Sequence, residues 1–342
     1  MQKRSLISLA VFLLLVSIII GGCTTMSDKP IAKPITDNKF PEKPITMIVP
    51  YSAGGGTDLI ARVMEKESVK YLGQPLVVVN KPGATGNIGW NELASSSPDG
   101  YTLGMTVIDL ILQPSYGNTK YHYITALRPL IQIATTPLIM VIKTEQPWQN
   151  VHQLIEYSRE NPGQLKFAHG GIGSMPHVVG ETFAKVADSN IAQVPFRGAS
   201  DSITALLGNH VEIVFVPSAS VKEQIKSGTV RALAVASEHR LTDPYLAHIP
   251  TFKEQGFDIV FNNWYGVAAP KDLPPEAETK LAEGFKAMIS DPEFKSSMNI
   301  LGAEMEYLGP NETQNQWIVD NEKLTKIIQE TGILDKIKAQ KN

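Results

Sequence analysis

From Lys43 onward the chain alternates between two hydrophobic rhythms. Short runs rich in Val, Ile and Leu read as strands: "ITMIV" at 45–49, "PLVVVN" at 75–80 and "YTLGMTV" at 101–107. Between them the apolar residues recur at helical spacing. "DLIARVMEKESVKYLG" (58–73) puts Leu59, Ile60, Val63 and Met64 on one side and carries Lys70 in its last turn. It stops at Gly73, the residue type that accepts a left-handed C-terminal turn. "PLVVVN" is continuous in apolar residues, the pattern of a parallel strand buried on both faces. "GNIGWNELASSSPDG" (86–100) gives a second helix ended by Gly100. This β-α-β-α-β order predicts a parallel sheet with right-handed crossovers.

The pattern restarts past residue 143. "VHQLIEYSRENPGQ" (151–164), "HVVGETFAKVAD" (177–188), "DSITALLGNH" (201–210) and "SASVKEQIKSG" (218–228) read as helices. They alternate with the strands "LKFAHG" (165–170), "AQVPF" (192–196), "EIVFVP" (212–217) and "RALAVAS" (231–237). A second α/β unit is therefore nested inside the first. "WYGVAAP" (264–270) adds a strand, and "PEAETKLAEGFKAMIS" (275–290) and "ETQNQWIVDNEKLTKIIQETG" (312–332) are helices. Trp148, Trp264 and Trp317 are expected in the core or at an interface. Asp320, Glu322, Lys323 and Lys326 are expected on a solvated face.

The N-terminal end changes this picture. Lys3 and Arg4 precede an apolar run from Leu6 to Ile20 that is too short and wrongly flanked for a membrane span. It ends in "IIIGGC", and Cys23 is the only cysteine of the 342 residues. This resembles a bacterial lipoprotein signal at 1–22 with acylation at Cys23, which anchors the protein outside the cytoplasm, in the periplasm or on the outer cell surface. Residues 23–42, with Pro30, Pro34 and Pro41, read as a semi-extended tether. A single cysteine allows no internal disulfide. Removing residues 1–22 takes away two cations and no anion, so the formal charge moves from −3 to −5. With no basic stripe, nucleic acid is not an expected partner.

Chemistry concentrates at two strand–glycine–helix junctions. The first is "VPYSAGGGTDLIARV", where Thr57 is the expected N-cap and Asp58 stands in the first turn. The second is "LKFAHGGIGSMPHVVGETF", with Ser174 as N-cap and Pro176 in the first turn. Each offers backbone N–H groups and the positive end of a helix dipole, which together suit an anion. Neither is a nucleotide fingerprint: the first lacks the Lys-Ser/Thr of a P-loop, and the second has Pro176 where a dinucleotide motif needs glycine. Two such loops, one in each unit, describe a clamp for a small anion at the carboxyl ends of strands. No HxxxH or CxxC exists, so neither metal nor cofactor is expected. Ser174 and His177 are not a hydrolase pair by pattern, since the surroundings are not G-x-S-x-G.

The blocks "VPYSAGGGTDLIARVMEK", "LGQPLVVVNKPGATGNIGWNELASSSPDGYTL", "GIGSMPHVVGETF", "VPFRGASDSITALLGNHVEIVF" and "IKSGTVRALAVASEHR" occur in that order. They resemble the Bug-type solute-binding receptors of tripartite tricarboxylate transporters, from about Lys43 to the C-terminus. The resemblance implies a type II periplasmic-binding-protein fold, two α/β lobes joined by a two-stranded hinge. Lobe 1 would be 43–138 with 238–342, and lobe 2 would be 139–237. It also implies a monomer that holds a small organic carboxylate in the cleft, without catalysis, and delivers it to a membrane permease. By position the ligand residues would be Ser52, Ala53, Gly54, Gly55, Gly56, Thr57, Asp58, Thr85 and Asn87 in lobe 1. In lobe 2 they would be Gly171, Gly173, Ser174, His177, Arg197, Gly198 and Ala199. Many relatives have an Asp after the strand that reads "EIVFVP" here; this chain has Val216 and Pro217, which weakens an amino-acid ligand. A carboxylate-sensing lipoprotein with a signalling partner, or more remotely an exported hydrolase, are the alternatives.

Overall fold

The computed structural model describes residues 39–117, 119–261 and 263–341. The leader, Cys23 and most of the tether lie outside the described residues. The strands are β1 (Ile45–Val49), β2 (Leu76–Asn80), β3 (Thr102–Val107), β4 (Leu127–Thr135), β5 (Leu138–Lys143), β6 (Lys166–His169), β7 (Ala192–Pro195), β8 (Ile213–Pro217), β9 (Val230–Val235), β10 (Trp264–Pro270) and β11 (Glu304–Leu308). They form a six-stranded sheet in the order β11-β4-β10-β3-β1-β2 and a five-stranded sheet in the order β7-β6-β8-β5-β9.

The first sheet is parallel only where β1 pairs with β2 and β3; β10 and β11 join antiparallel. The second repeats this plan, with β6 parallel to β7 and β8 while β5 runs antiparallel to β8 and β9. β2 is an edge strand, so its unbroken apolar run is not buried on both faces: Val77 is 44% exposed. The expected helices form, among them Gly56–Leu72, Met175–Val186, Ala199–Leu207 and Pro275–Ser290. Gly73 stops the first at φ 76, its N–H donating to Val69 O. The segment 218–228 is less regular than expected, a 3₁₀ turn at Ser218–Ser220 and a short helix at Lys222–Lys226.

The chain passes from the first sheet to the second through Thr136 and Pro137 and returns between Ala236 and Asn263. The two passages are tied side by side: Thr136 N donates to Asn263 O at 2.9 Å, and Ala236 N to Leu138 O at 2.8 Å. Residues 241–261 stay with the second sheet. Leu241, Leu246 and Ile249 join its core, and the rings of Phe252 and Phe257 lie against Phe183. The last helix, Ile333–Lys341, also crosses over and packs on Met175–Val186, with Lys336 Nζ bonded to Glu181 Oε2.

Tryptophans anchor the first sheet. Trp90 is fully buried, edge-on to the rings of Tyr51 and Tyr123, and its indole N–H donates to Met105 O at 3.1 Å. Such a side chain combines large apolar burial with one satisfied polar group. Trp264 and Trp317 stack at 6.0 Å. Trp264 Nε1 donates to Asp320 Oδ2 at 2.9 Å, so Asp320 is not merely solvated.

Candidate functional site

Gly55 is the N-cap of Gly56–Leu72, in extended backbone at φ −80, ψ 167, and no side chain caps that helix. Thr57, the expected N-cap, is instead the second residue of the helix and is buried. Asp58 braces the loop: its carboxylate accepts Gly54 N at 2.9 Å and Asn80 Nδ2 at 2.9 Å. From the second sheet, Gly198 caps Ala199–Leu207. The two helix starts meet. A Cβ on Gly55 would stand 3.8 Å from Ala199 Cβ and 3.9 Å from Ala199 N, and one on Gly198 would stand 3.3 Å from Ser52 N. Two sets of amide N–H groups and two positive dipole ends therefore converge on one place from different sheets.

Hydrogen bonds join the sheets around this point. Ser52 Oγ donates to Asp201 Oδ2 at 2.9 Å, Gly56 N to Ser220 Oγ at 2.8 Å, and Thr85 Oγ1 to Ile172 O at 2.9 Å. Gln113 Nε2 donates to Gly173 O at 3.2 Å. Asp109, just beyond β3, accepts Met175 N at 2.6 Å with one oxygen and the Tyr51 hydroxyl with the other.

They enclose a cavity of about 40 Å³. That volume holds roughly one water molecule. Gly55, Gly56, Thr57, Gly198 and Ala199 line it together with Ser174, Tyr51, Asp109 and Tyr265, and Val107, Phe215 and Val216 are apolar surface. Burial, reinforced by Asp109, pushes the Tyr51 hydroxyl well above its ordinary pKa. Burial likewise raises Tyr265. Both phenols stay protonated at neutral pH.

Residues 60–333 match the family described as the tripartite tricarboxylate transporter family receptor. The chain belongs to this family. BugT of Bordetella pertussis (strain Tohama I) is 31% identical over 309 residues, 88% of this chain and 93% of BugT. The solved periplasmic binding protein BugD is 31% identical at a TM-score of 0.82, covering 86% of this chain and 99% of BugD. Rpa4515 of R. palustris, solved with adipate, is 27% identical at a TM-score of 0.82, covering 86% of this chain and 98% of Rpa4515. The chain is thus a solute-binding receptor of the two-lobed periplasmic-binding-protein type, and it works outside the cytoplasm.

The receptor brings six of the expected ligand residues to the cavity wall: Gly55, Gly56, Thr57, Ser174, Gly198 and Ala199. It places the others elsewhere. Ala53 and Gly54 are exposed, Ser52 is spent on Asp201 and Asp58 on its own loop. Thr85 reaches the opposite loop, and Asn87 bonds to Gln113 and Tyr123 inside lobe 1. Arg197 is exposed and does not line the cavity.

The second glycine loop departs most from the anion reading. Gly171 N donates to His169 Nδ1 at 3.2 Å, and Gly173 N to His177 Nδ1 at 3.0 Å. These amides satisfy imidazoles of the receptor itself. Glycine is required at 171 by close approach, since φ is 118 and a Cβ would lie 2.6 Å from Thr85 Oγ1. His177 is fully buried, with Nε2 3.3 Å from Glu181 Oε1, so it is neither a surface histidine nor part of the cavity wall. Ser174 Oγ accepts His177 N at 3.3 Å as an N-cap, which is a helix-capping bond and not a catalytic one.

Tyr51, Asp109 and Tyr265 were missed by the sequence reading. Tyr51 and Asp109 follow the carboxyl ends of β1 and β3, where open α/β sheets place ligands, and strand boundaries alone could have flagged them. Tyr265 could not be found that way, because β10 enters the sheet antiparallel from a distant part of the chain.

Proposed function

We propose that this receptor captures a small organic carboxylate between its two lobes and hands it to the membrane permease of a tripartite transporter, acting as a monomer. The observation that carries the reading is the convergence of the Gly56–Leu72 and Ala199–Leu207 N-termini on one cavity from two sheets. A carboxylate there lies on N–H groups of both lobes; each such bond to a charged group contributes about 1.5–3 kcal/mol. A ligand that touches both lobes favours the closed arrangement by its differential affinity for it. The adipate bound by Rpa4515 supports the same class. The lobes in this reading are 43–138 with 263–341, and 139–261, since 241–261 packs with the second sheet, and they move about the paired passages at Thr136 and Asn263.

A thermal-shift screen of mono-, di- and tricarboxylates, each beside its neutral amide, tests this. At about 100-fold excess over Kd the true ligand adds roughly 2.7 kcal/mol, which is on the order of 5–10 °C in Tm for a chain of this size. Equal shifts from acid and amide would sink the carboxylate assignment. Lipid on Cys23 completes the proposal and holds the receptor at the membrane. Cys23→Ser is expected to move the protein from the membrane fraction to the soluble one, and unchanged membrane retention would refute lipidation.

A further inference from the structure

The C-terminal helix Ile333–Lys341 follows the long lobe 1 helix Pro310–Glu330 in the chain, yet it packs on lobe 2. Lys336 Nζ, on a half-exposed side chain, is bonded to Glu181 Oε2, whose side chain is buried. Ile337 is fully buried and stands over Gly173, its Cγ2 3.5 Å from where a Cβ would be. From lobe 2, Lys185 Nζ reaches back to Thr331 O at the end of Pro310–Glu330. Gly173 is pressed from lobe 1 as well: φ is 84, and the Tyr116 ring would come within 2.7 Å of a Cβ there. The second glycine loop is thus gripped between Tyr116 and Ile337, which gives its missing side chain a packing reason. Buried contacts run from the helix back to that loop. Glu181 Oε1 is 3.3 Å from His177 Nε2, and His177 Nδ1 accepts Gly173 N at 3.0 Å.

We propose that this helix is a clasp across the lobe junction, in which Lys336 and Ile337 are positioning residues: they stand off the cavity wall and set how readily the lobes part. This goes beyond the carboxylate reading and rests only on its account of lobes that part and close. Whichever lobe the helix follows, one side of it must let go. Either Ile337 leaves Gly173 and Lys336 leaves Glu181, or the helix leaves the Gln113–Tyr116 segment of lobe 1. In the first case Ile337 meets water and the Glu181 carboxylate loses its cation, and both raise the free energy of the open form. Lys336 is half in solvent, so its part is smaller than a fully buried pair would give. A looser clasp lowers the population of the arrangement that surrounds a ligand, and the apparent affinity falls with it.

Residue-resolved hydrogen exchange on the ligand-free protein tests the clasp. The Gly56 amide is the reporter, because Ser220 Oγ accepts it from the other lobe. The amides of Ile48 and Phe215, inside the two sheets, report the fold of each lobe. Lys336→Met, which keeps the stem, and Ile337→Ser are each expected to speed Gly56 exchange about tenfold or more while Ile48 and Phe215 stay unchanged. Lys336→Arg keeps the cation and is expected to match the parent. Gly171→Val, whose new Cβ would meet Thr85 of the opposite loop, is the reference for parted lobes. If Gly171→Val speeds Gly56 exchange and neither clasp variant does, the clasp proposal falls alone. If none of the three speeds it, the account of parting lobes falls with it. Sheet amides that speed up as much as Gly56 would make the helix an ordinary part of the fold and overturn the proposal.

Discussion

Acidification from neutral pH to about pH 4 is expected to cost the folded receptor several kcal/mol, and His169→Phe is expected to flatten that loss. His169 is fully buried, and its ring stacks on His177 at 4.2 Å. Burial first, and the neighbouring imidazole second, lower its pKa from 6.5 to about 3. Below pH 6.5 the unfolded chain takes up a proton at this residue that the folded chain refuses. Stability is therefore complete above pH 6.5 and falls as the pH drops toward 3, by up to about 1.4 kcal/mol per pH unit. Integrated, the effect is on the order of 3–5 kcal/mol, a large part of the total for most domains. Glu181 acts in the same direction lower down. Burial alone would raise its pKa, but hydrogen bonds from His177 and Lys336 outweigh that and hold it at about 2. Its contribution is present above about pH 4.5 and is lost as the pH falls further. Urea denaturation at several pH values between 7 and 4.5 separates the two, because the Glu181 contribution is lost only below that window. Phenylalanine keeps the ring against Phe167 and His177 but cannot titrate, so the pH slope is the readout even if absolute stability falls. Parallel slopes for wild type and variant across that window would remove His169 from the account.

Gly171→Val is expected to weaken carboxylate binding by about a hundredfold or more while most of the protein stays folded. Two costs are distinct. At φ 118 the backbone suits glycine, and a valine there is strained by about 1–3 kcal/mol, which a denaturant midpoint reports. The second cost arises only when the lobes meet, because the new Cβ would lie 2.6 Å from Thr85 Oγ1 and 3.4 Å from Thr85 Cα. Opening the lobes relieves that overlap, so it penalises the ligand-bound closed form and not the fold of either lobe. Thr85→Ala in the valine background removes the nearest atom and is expected to restore part of the affinity without restoring the midpoint. Gly55→Ala is the control: φ is −80 and the added Cβ meets nothing nearer than 3.6 Å, so it should fold as the parent does. If Gly171→Val bound ligand like the parent, the approach of Thr85 to Gly171 would have no part in the bound state.

Strand and helix identities, the nesting of one α/β unit in another and the family were legible in the sequence. They rest on local matters: apolar periodicity, capping residues such as Ser174 and Gly73, and motif blocks in fixed order. The first loop's Gly55, Gly56 and Thr57, and Gly198 and Ala199 in the second unit, were legible for the same reason, since the first N–H groups of a helix have no partner within it. What those groups face is not local. Gly171 and Gly173 have the same signature as Gly55, yet their amides meet His169 and His177, because the ring of each histidine folds back under the loop it follows or precedes. Asp109 carries no motif; it matters because β3 ends opposite the start of Met175–Val186, a neighbour across 66 residues of chain. Tyr265 reaches the cavity only because β10 slots antiparallel between β3 and β4. Local physical chemistry in the sequence determined which glycine loops begin helices, and the packing of two sheets against each other decided which of those helix starts line the cavity and which amides the protein's own side chains cover.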